Sequence, residues 1–326
     1  MSDTANATRR GLMLGAAALP LAGGTLAAAR AEVPAQQGLM RPDAYRFKVG
    51  AFEVTSILDG AVQLDGPHPI FGQNVTQDDV AALAAENFLP ATRMEIPFTV
   101  TLVNTGSELI LFDTGNGDNG RRPAAGNLVS RLEGLGIAPS DITHVVITHF
   151  HGDHISGLTE GGAPTYPNAA YVFGAAEYDF WSNEDLLFDD AMQSRAQLVQ
   201  NKVVPFAEQA TMIKPGDAVR SGIEAVDAFG HTPGHMAYHL ESEGERLLIT
   251  ADAANHYVMS LQKPDWHVRF DMDKEKAAAA RKNLFGMVAA DRIPFIGYHM
   301  PPPAVGYVAP LGEGFRYVPA SYQLNL

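Results

Sequence analysis

Cysteine is absent from the 326 residues. That one absence excludes disulfides, thiolate metal sites, iron–sulfur clusters and cysteine nucleophiles together, so any bound metal must be held by nitrogen and oxygen. Basic residues are scarce as well: 23 lysines and arginines stand against 37 aspartates and glutamates, a formal net charge of −14. Such an excess of acid leaves no basic groove for a phosphate backbone, and nucleic acid is not an expected partner. Charged residues make up 18% and hydrophobic residues 46% of the chain. That is the balance of a globular protein with one large core or two modest ones.

The N-terminus reads as an address. TRRGLML at residues 8 to 14 is followed by an alanine- and glycine-rich run to Ala29, and Ala29-Arg30-Ala31 fits a small-x-small cleavage pattern. The pair Arg9-Arg10 resembles the twin-arginine export signal, with Leu12 and Leu14 where phenylalanine and lysine are common. Pro20 and Gly23-Gly24 make a poor spanning helix. We therefore expect a twin-arginine-type signal peptide over residues 1–31 and one domain over 32–326, with no stable membrane insertion once the signal is removed. The expected location is the periplasm or the exterior of a bacterium.

Beyond the signal, FKVGAFEVTSILDG (47 to 60) and PFTVTLVNTGSELILFDTG (97 to 115) have β-branched content and turn punctuation. They read as antiparallel strands, the second broken like a hairpin at Asn104-Thr105-Gly106-Ser107. Helical spacing marks 75 to 88, 126 to 136 and 273 to 290, with Thr76 and either Asp271 or Asp273 as N-caps. Strands grouped in hairpins with helices between the groups predict an α+β fold. Its form is an αββα sandwich of two mixed sheets flanked by helices, not a doubly wound parallel sheet.

Histidine is where the sequence concentrates its chemistry. Three of the eleven histidines and one aspartate fall within six positions in THFHGDH, residues 148 to 154. Four stretches share one grammar, an apolar strand-like run ending in a metal-competent residue: HVVITHFHGDH, IEAVDAFGHTPGH, RLLITAD and IPFIGYH. Loops at the ends of packed strands can present side chains to a common point, so these four ends are expected to converge on one edge of the sandwich.

His149, His151, Asp153 and His154 match at every position the H-x-H-x-D-H motif of the metallo-β-lactamase superfamily. The resemblance extends through DTG at 113 to 115, GHTPGH at 230 to 235, Asp252 and His299. The order and texture of the segments are similar to the exported branch that includes methyl parathion hydrolase and related lactonases. This resemblance implies His149, His151 and His235 on one metal, Asp153, His154 and His299 on the other, and Asp252 bridging both. Asp153 and Asp252 are thereby the carboxylates expected at the catalytic centre. It leaves His231 as a hydrogen-bonding turn residue or a partner behind the ligands, and Asp113 as a group orienting a ligand imidazole. Trp181, Trp266 and His267 are expected at a substrate pocket. Asn255 stands where acyl-homoserine lactonases of the superfamily carry a tyrosine three residues after the bridging aspartate.

Imidazoles and carboxylates bind divalent zinc, manganese or iron, and zinc is the default for this set. The expected cofactor is two divalent ions, Zn²⁺ by default, holding between them a hydroxide that forms near neutral pH. The expected activity is hydrolysis of a small, mostly neutral ester, lactone or phosphotriester, as in lactonases, arylesterases and phosphotriesterases. The partner is a small-molecule substrate, with a homodimer as the assembly to test. The alternative is an oxidoreductase like the persulfide dioxygenases, which keep the motif but use a single iron.

Overall fold

The structure is a computed structural model that describes residues 33–320 apart from 37, 39 and 119–124. The expected signal peptide lies outside the described residues. The described residues from Arg41 onward form one compact unit.

Two seven-stranded sheets make the core. The first runs in the order β1 (Ala44–Val49), β2 (Phe52–Asp65), β3 (Arg93–Asn104), β4 (Leu109–Phe112), β5 (His144–Val146), β8 (Ala170–Gly174) and β9 (Thr211–Ile213). A small ribbon of β6 (Thr159–Glu160) and β7 (Ala163–Pro164) stands apart from it. The second sheet orders β10 (Ala218–Arg220), β11 (Ile223–Asp227), β12 (Met236–Ser242), β13 (Glu245–Ala251), β14 (Phe295–Gly297), β15 (Val305–Leu311) and β16 (Gly314–Pro319). Both are mixed: β1 to β4 pair antiparallel and β4, β5, β8 and β9 parallel, while β13 and β14 form the parallel pair of the second sheet.

The two-residue period of a strand sorts side chains between two cores. Val103, Ile110, Phe112, Val146 and Val172 of the first sheet share one apolar cluster with Tyr238, Leu240 and Leu248 of the second. Their chain neighbours Leu102, Leu111, Val145, Tyr171 and Phe173 belong to the other cluster. There they meet α1 (Gln77–Glu86) through Val80 and Leu83, α2 (Leu128–Gly134) through Leu128 and Leu132, and α5 (Gln193–Lys202) through Val199. α7 (Lys274–Asp291) joins the inter-sheet cluster through Leu284, Phe285 and Val288.

Local signals placed several boundaries. Thr76 caps α1, its side chain accepting from the Asp79 amide at 3.2 Å, and Asp273 caps α7 by accepting from Lys276 at 3.0 Å. Asp271, the other candidate cap, is buried instead. The stretch 47 to 60 is itself a hairpin, turned at Gly50 (φ 55°), where an added Cβ would lie 2.0 Å from the Ser242 carbonyl oxygen. α2 shows what the sequence hides. Asn127 forms no side-chain cap there, and Asp59, 69 residues earlier than Leu128, accepts the Leu128 amide at 2.8 Å.

Candidate metal centre

Four strand ends meet at one edge of the sandwich. β5 leads into His149, His151, Asp153 and His154, β11 into His231, β13 into Asp252, and β14 into His299. The donor atoms of His149, His151, His231 and Asp252 lie within 4.8 Å of one another, and so do those of Asp153, His154 and His299. Asp252 stands between the two groups. Its Oδ2 is 3.3 Å from His231 Nε2 and 3.1 Å from His299 Nε2, and its Oδ1 is 3.4 Å from His154 Nε2.

Each ring is set from behind. Nδ1 of His154 donates to Asp113 Oδ2 at 2.8 Å, Nδ1 of His299 to the Pro97 carbonyl at 2.8 Å, and Nδ1 of His231 to Asp271 Oδ1 at 2.8 Å. The Thr148 hydroxyl donates to Asp113 and lies 3.1 Å from Nδ1 of His149, which it accepts. Each bond leaves the Nε2 lone pair facing the cluster, the orientation a metal requires. At the cluster His149 Nε2, His151 Nε2, His154 Nε2 and Asp252 Oδ1 are buried with no hydrogen-bond partner among the described residues. Buried polar atoms are rarely left so, and converging lone pairs on imidazole and carboxylate fit divalent cations. His151 is turned the other way: its Nδ1 approaches His231 Nε2 at 2.9 Å.

Both histidines of GHTPGH adjoin the cluster, the His231 ring 4.8 Å and the His235 ring 5.0 Å from that of His149. His235 donates from Nδ1 to the Ala228 carbonyl at 2.9 Å and accepts the Asp252 amide on Nε2 at 3.1 Å. The ring of His235 is thus set from behind like those of His154 and His299, with its Nε2 against the backbone of Asp252. The His231 donor atom is the one that falls within the first group, and Asp271 behind it is held by Arg281 at 2.9 Å. Arg281 is 1% exposed and donates also to the carbonyls of Ala253 and Pro264 at 2.8 Å. No local pattern could have found this support, because Asp271 is 40 residues from His231.

Glu177 was likewise invisible in the sequence. Fully buried on α4 (Ala175–Trp181), it accepts the Phe150 amide and the Trp181 indole on Oε1, both at 2.9 Å. Its Oε2 accepts the Thr232 hydroxyl at 2.7 Å and the Gly234 amide at 2.8 Å. One carboxylate thus ties the H-x-H-x-D-H loop to the GHTPGH turn. Burial pushes its carboxyl upward against four donors that favour the charged form. Asp113 plays the matching part within the first loop. It adopts φ 67° and accepts the Thr148 amide and hydroxyl along with His154.

The three residues expected at a substrate pocket are elsewhere. Trp181 is 0% exposed and packs in the core beneath Glu177. Trp266 lines a separate cavity with Leu83 and Gln262, and His267 pairs with Glu275 at 3.0 Å. A tryptophan in a helix near the motif was a poor indicator because size favours burial as much as binding. The cavity over the cluster holds about 420 Å³ and has His151, Asp153, Asp252 and His299 on its floor. A second cavity of about 440 Å³ reaches His299 from the side of Pro97 and His256. Asn255 donates to Asp252 Oδ2 at 3.0 Å.

Charge in the metal-free cluster is divided. Burial, then the nearby histidines, holds His149 and His151 well below the usual imidazole value. Burial opposes the charge of His154, His231 and His299 too, but the facing carboxylates outweigh it; His231 is raised to about 9. Asp252, opposed by burial and favoured by His299 and His154, is held well below the carboxylate range.

Residues 97–295 match the family model described as Metallo-beta-lactamase superfamily, and the chain belongs to that superfamily. Curated relatives include a probable metallo-hydrolase of Mycobacterium tuberculosis, 31% identical over 48% of this chain and 56% of the relative. An N-acyl homoserine lactonase of Bacillus cereus is 23% identical over 51% of this chain and 67% of the relative. The chain thus spans about half the length of the mycobacterial relative. Among solved structures, the dizinc quorum-quenching lactonase AidC superposes with TM-score 0.77 at 25% identity, covering 86% of this chain and 98% of that one. The hydrolase AbOPH shares the fold, with TM-score 0.80 at 22% identity over 87% of this chain and 100% of that one.

Proposed function

We propose that the protein is a dinuclear metal-dependent hydrolase of small esters and lactones, exported from the cytoplasm. The observation that carries the reading is Asp252, whose two oxygens face both donor groups at once. His149, His151 and His231 would hold one ion, Asp153, His154 and His299 the other, with Asp252 shared. Two divalent ions held there, zinc first among candidates, would supply a water of pKa about 7 and a positive charge for the attacked carbonyl oxygen. Water adds at the acyl carbon, the acyl C–O bond breaks, and a proton passes to the leaving oxygen.

The chain's own part is to arrange and to exclude. Asp113, Asp271 and the Pro97 carbonyl fix three imidazole tautomers. The His235–Asp252 bond holds the shared carboxylate from its backbone side. Two donor groups support a pair of ions over the single iron of the alternative. The likeness to a dizinc lactonase supports ester and lactone substrates. Metal analysis, with hydrolysis of aryl esters and lactones of several chain lengths before and after chelation, tests the reading. We expect about two zinc equivalents per chain and activity lost to chelator and restored by zinc. One iron with oxygen uptake, or metal-loaded protein inert on both substrate classes, would refute it.

A further inference from the structure

The cavity over the cluster has a lining of two unlike kinds. Val62, Leu64, Ile96 and Phe98, brought to one face by the two-residue period of the β2–β3 hairpin, make an apolar side. The polar part of the lining includes Asn116 and Arg195. Arg195 stands in the first turn of α5, three residues before Leu198, and residues so spaced share a helix face. Leu198 is seated on the metal-binding loop: a Cβ added to Gly152 would lie 3.2 Å from its Cδ2. The same face therefore carries Arg195 over the cavity.

Arg195 is exposed and, among the described residues, makes no ion pair or side-chain hydrogen bond. Lys274, whose ammonium also feels Arg195, is committed to the carbonyls of Val268 and Asp271 at 2.6 and 2.5 Å. An uncommitted cation at the mouth of this site, in a chain of net charge −14, is not explained by tautomer setting or by folding. A guanidinium presents a planar fork that matches a carboxylate. A doubly charged group such as a phosphate monoester would bring a second charge toward Asp153 and Asp252 on the cavity floor.

We propose that Arg195 binds a carboxylate of the substrate, so that the site prefers esters or lactones with an apolar body and one remote carboxylate. The apolar body lies against the hairpin wall and the carboxylate reaches α5, with the scissile carbonyl over the cluster. This preference rests on the hydrolase reading above, and the test separates the two. The zinc-loaded full chain is given 4-nitrophenyl pentanoate and mono(4-nitrophenyl) glutarate, equal in length and differing in one charge. Calorimetry compares binding of pentanoate and glutarate themselves. We expect the glutarate ester to show about tenfold higher kcat/KM, mainly through KM, and glutarate to bind about tenfold tighter than pentanoate. Both ratios fall toward one in Arg195→Gln and are partly kept in Arg195→Lys. Ratios equal in wild type and Arg195→Gln overturn the proposal. If neither ester is cleaved, the hydrolase reading fails, and the binding ratio alone decides the role of Arg195.

Discussion

At the residue scale, the site turns on which nitrogen of each histidine is free. His231 and His235 stand four positions apart in one turn, and only their hydrogen-bond partners distinguish them. His231→Ala is expected to lower zinc content by about one equivalent, since one of the two ions loses an imidazole. His235→Ala is expected to keep both ions but to destabilise the chelated protein by about 2–3 kcal/mol, through two lost hydrogen bonds and a small cavity. Metal analysis and urea unfolding distinguish the two, and the reverse pattern would return His235 to the metal. Glu177→Ala removes the acceptor of four buried donors and should cost about 3 kcal/mol or more in urea unfolding. A cost under about 1 kcal/mol would show that the two loops do not depend on it.

At the element scale, strand ends and tight turns bring the loops together. Gly234 sits against α4 so closely that an added Cβ would be 2.1 Å from the Glu177 amide nitrogen. Backbone cannot yield as a flexible side chain can, so Gly234→Ala should destabilise by about 1–3 kcal/mol and part the turn from the helix. Hydrogen exchange at the Phe150 and Gly234 amides reads that parting, and unchanged protection there would count against the packing described. The hairpin from β3 to β4 was legible because Asn104, Gly106 and Ser107 are turn residues. Asn104 Oδ1 accepts the Gly106 amide at 2.8 Å, with Gly106 at φ 92°. The turn at Gly50 carried less signal, since one glycine within an apolar stretch also fits a bulge.

At the scale of the whole molecule, protons and metal compete for the cluster. With His231 raised from 6.5 to about 9, the metal-free protein binds a proton more tightly than its unfolded chain does. That stabilisation is present below 6.5 and is lost as the pH rises through about 9. Metal binding expels the proton, so zinc titration at neutral pH should release protons, less so above about 9, with affinity rising over that interval. Calorimetry in buffers of different ionisation enthalpy measures the release, and none at neutral pH would contradict a charged His231. Zinc at a hundredfold over its Kd should add about 2.7 kcal/mol to folding stability, and chelation should remove it.

The sequence alone determined the donor chemistry, because the lack of cysteine and the H-x-H-x-D-H spacing are local facts of composition and order. It determined the αββα sandwich as well, since periodicity and turn residues act over a few positions. Tertiary structure decided the hydrogen-bond partners of the two GHTPGH histidines, that Glu177 and Arg281 support the cluster, and that Trp181 is core. Those outcomes depend on partners tens of residues away, brought near only when the strands pack and burial makes every unpaired polar atom costly.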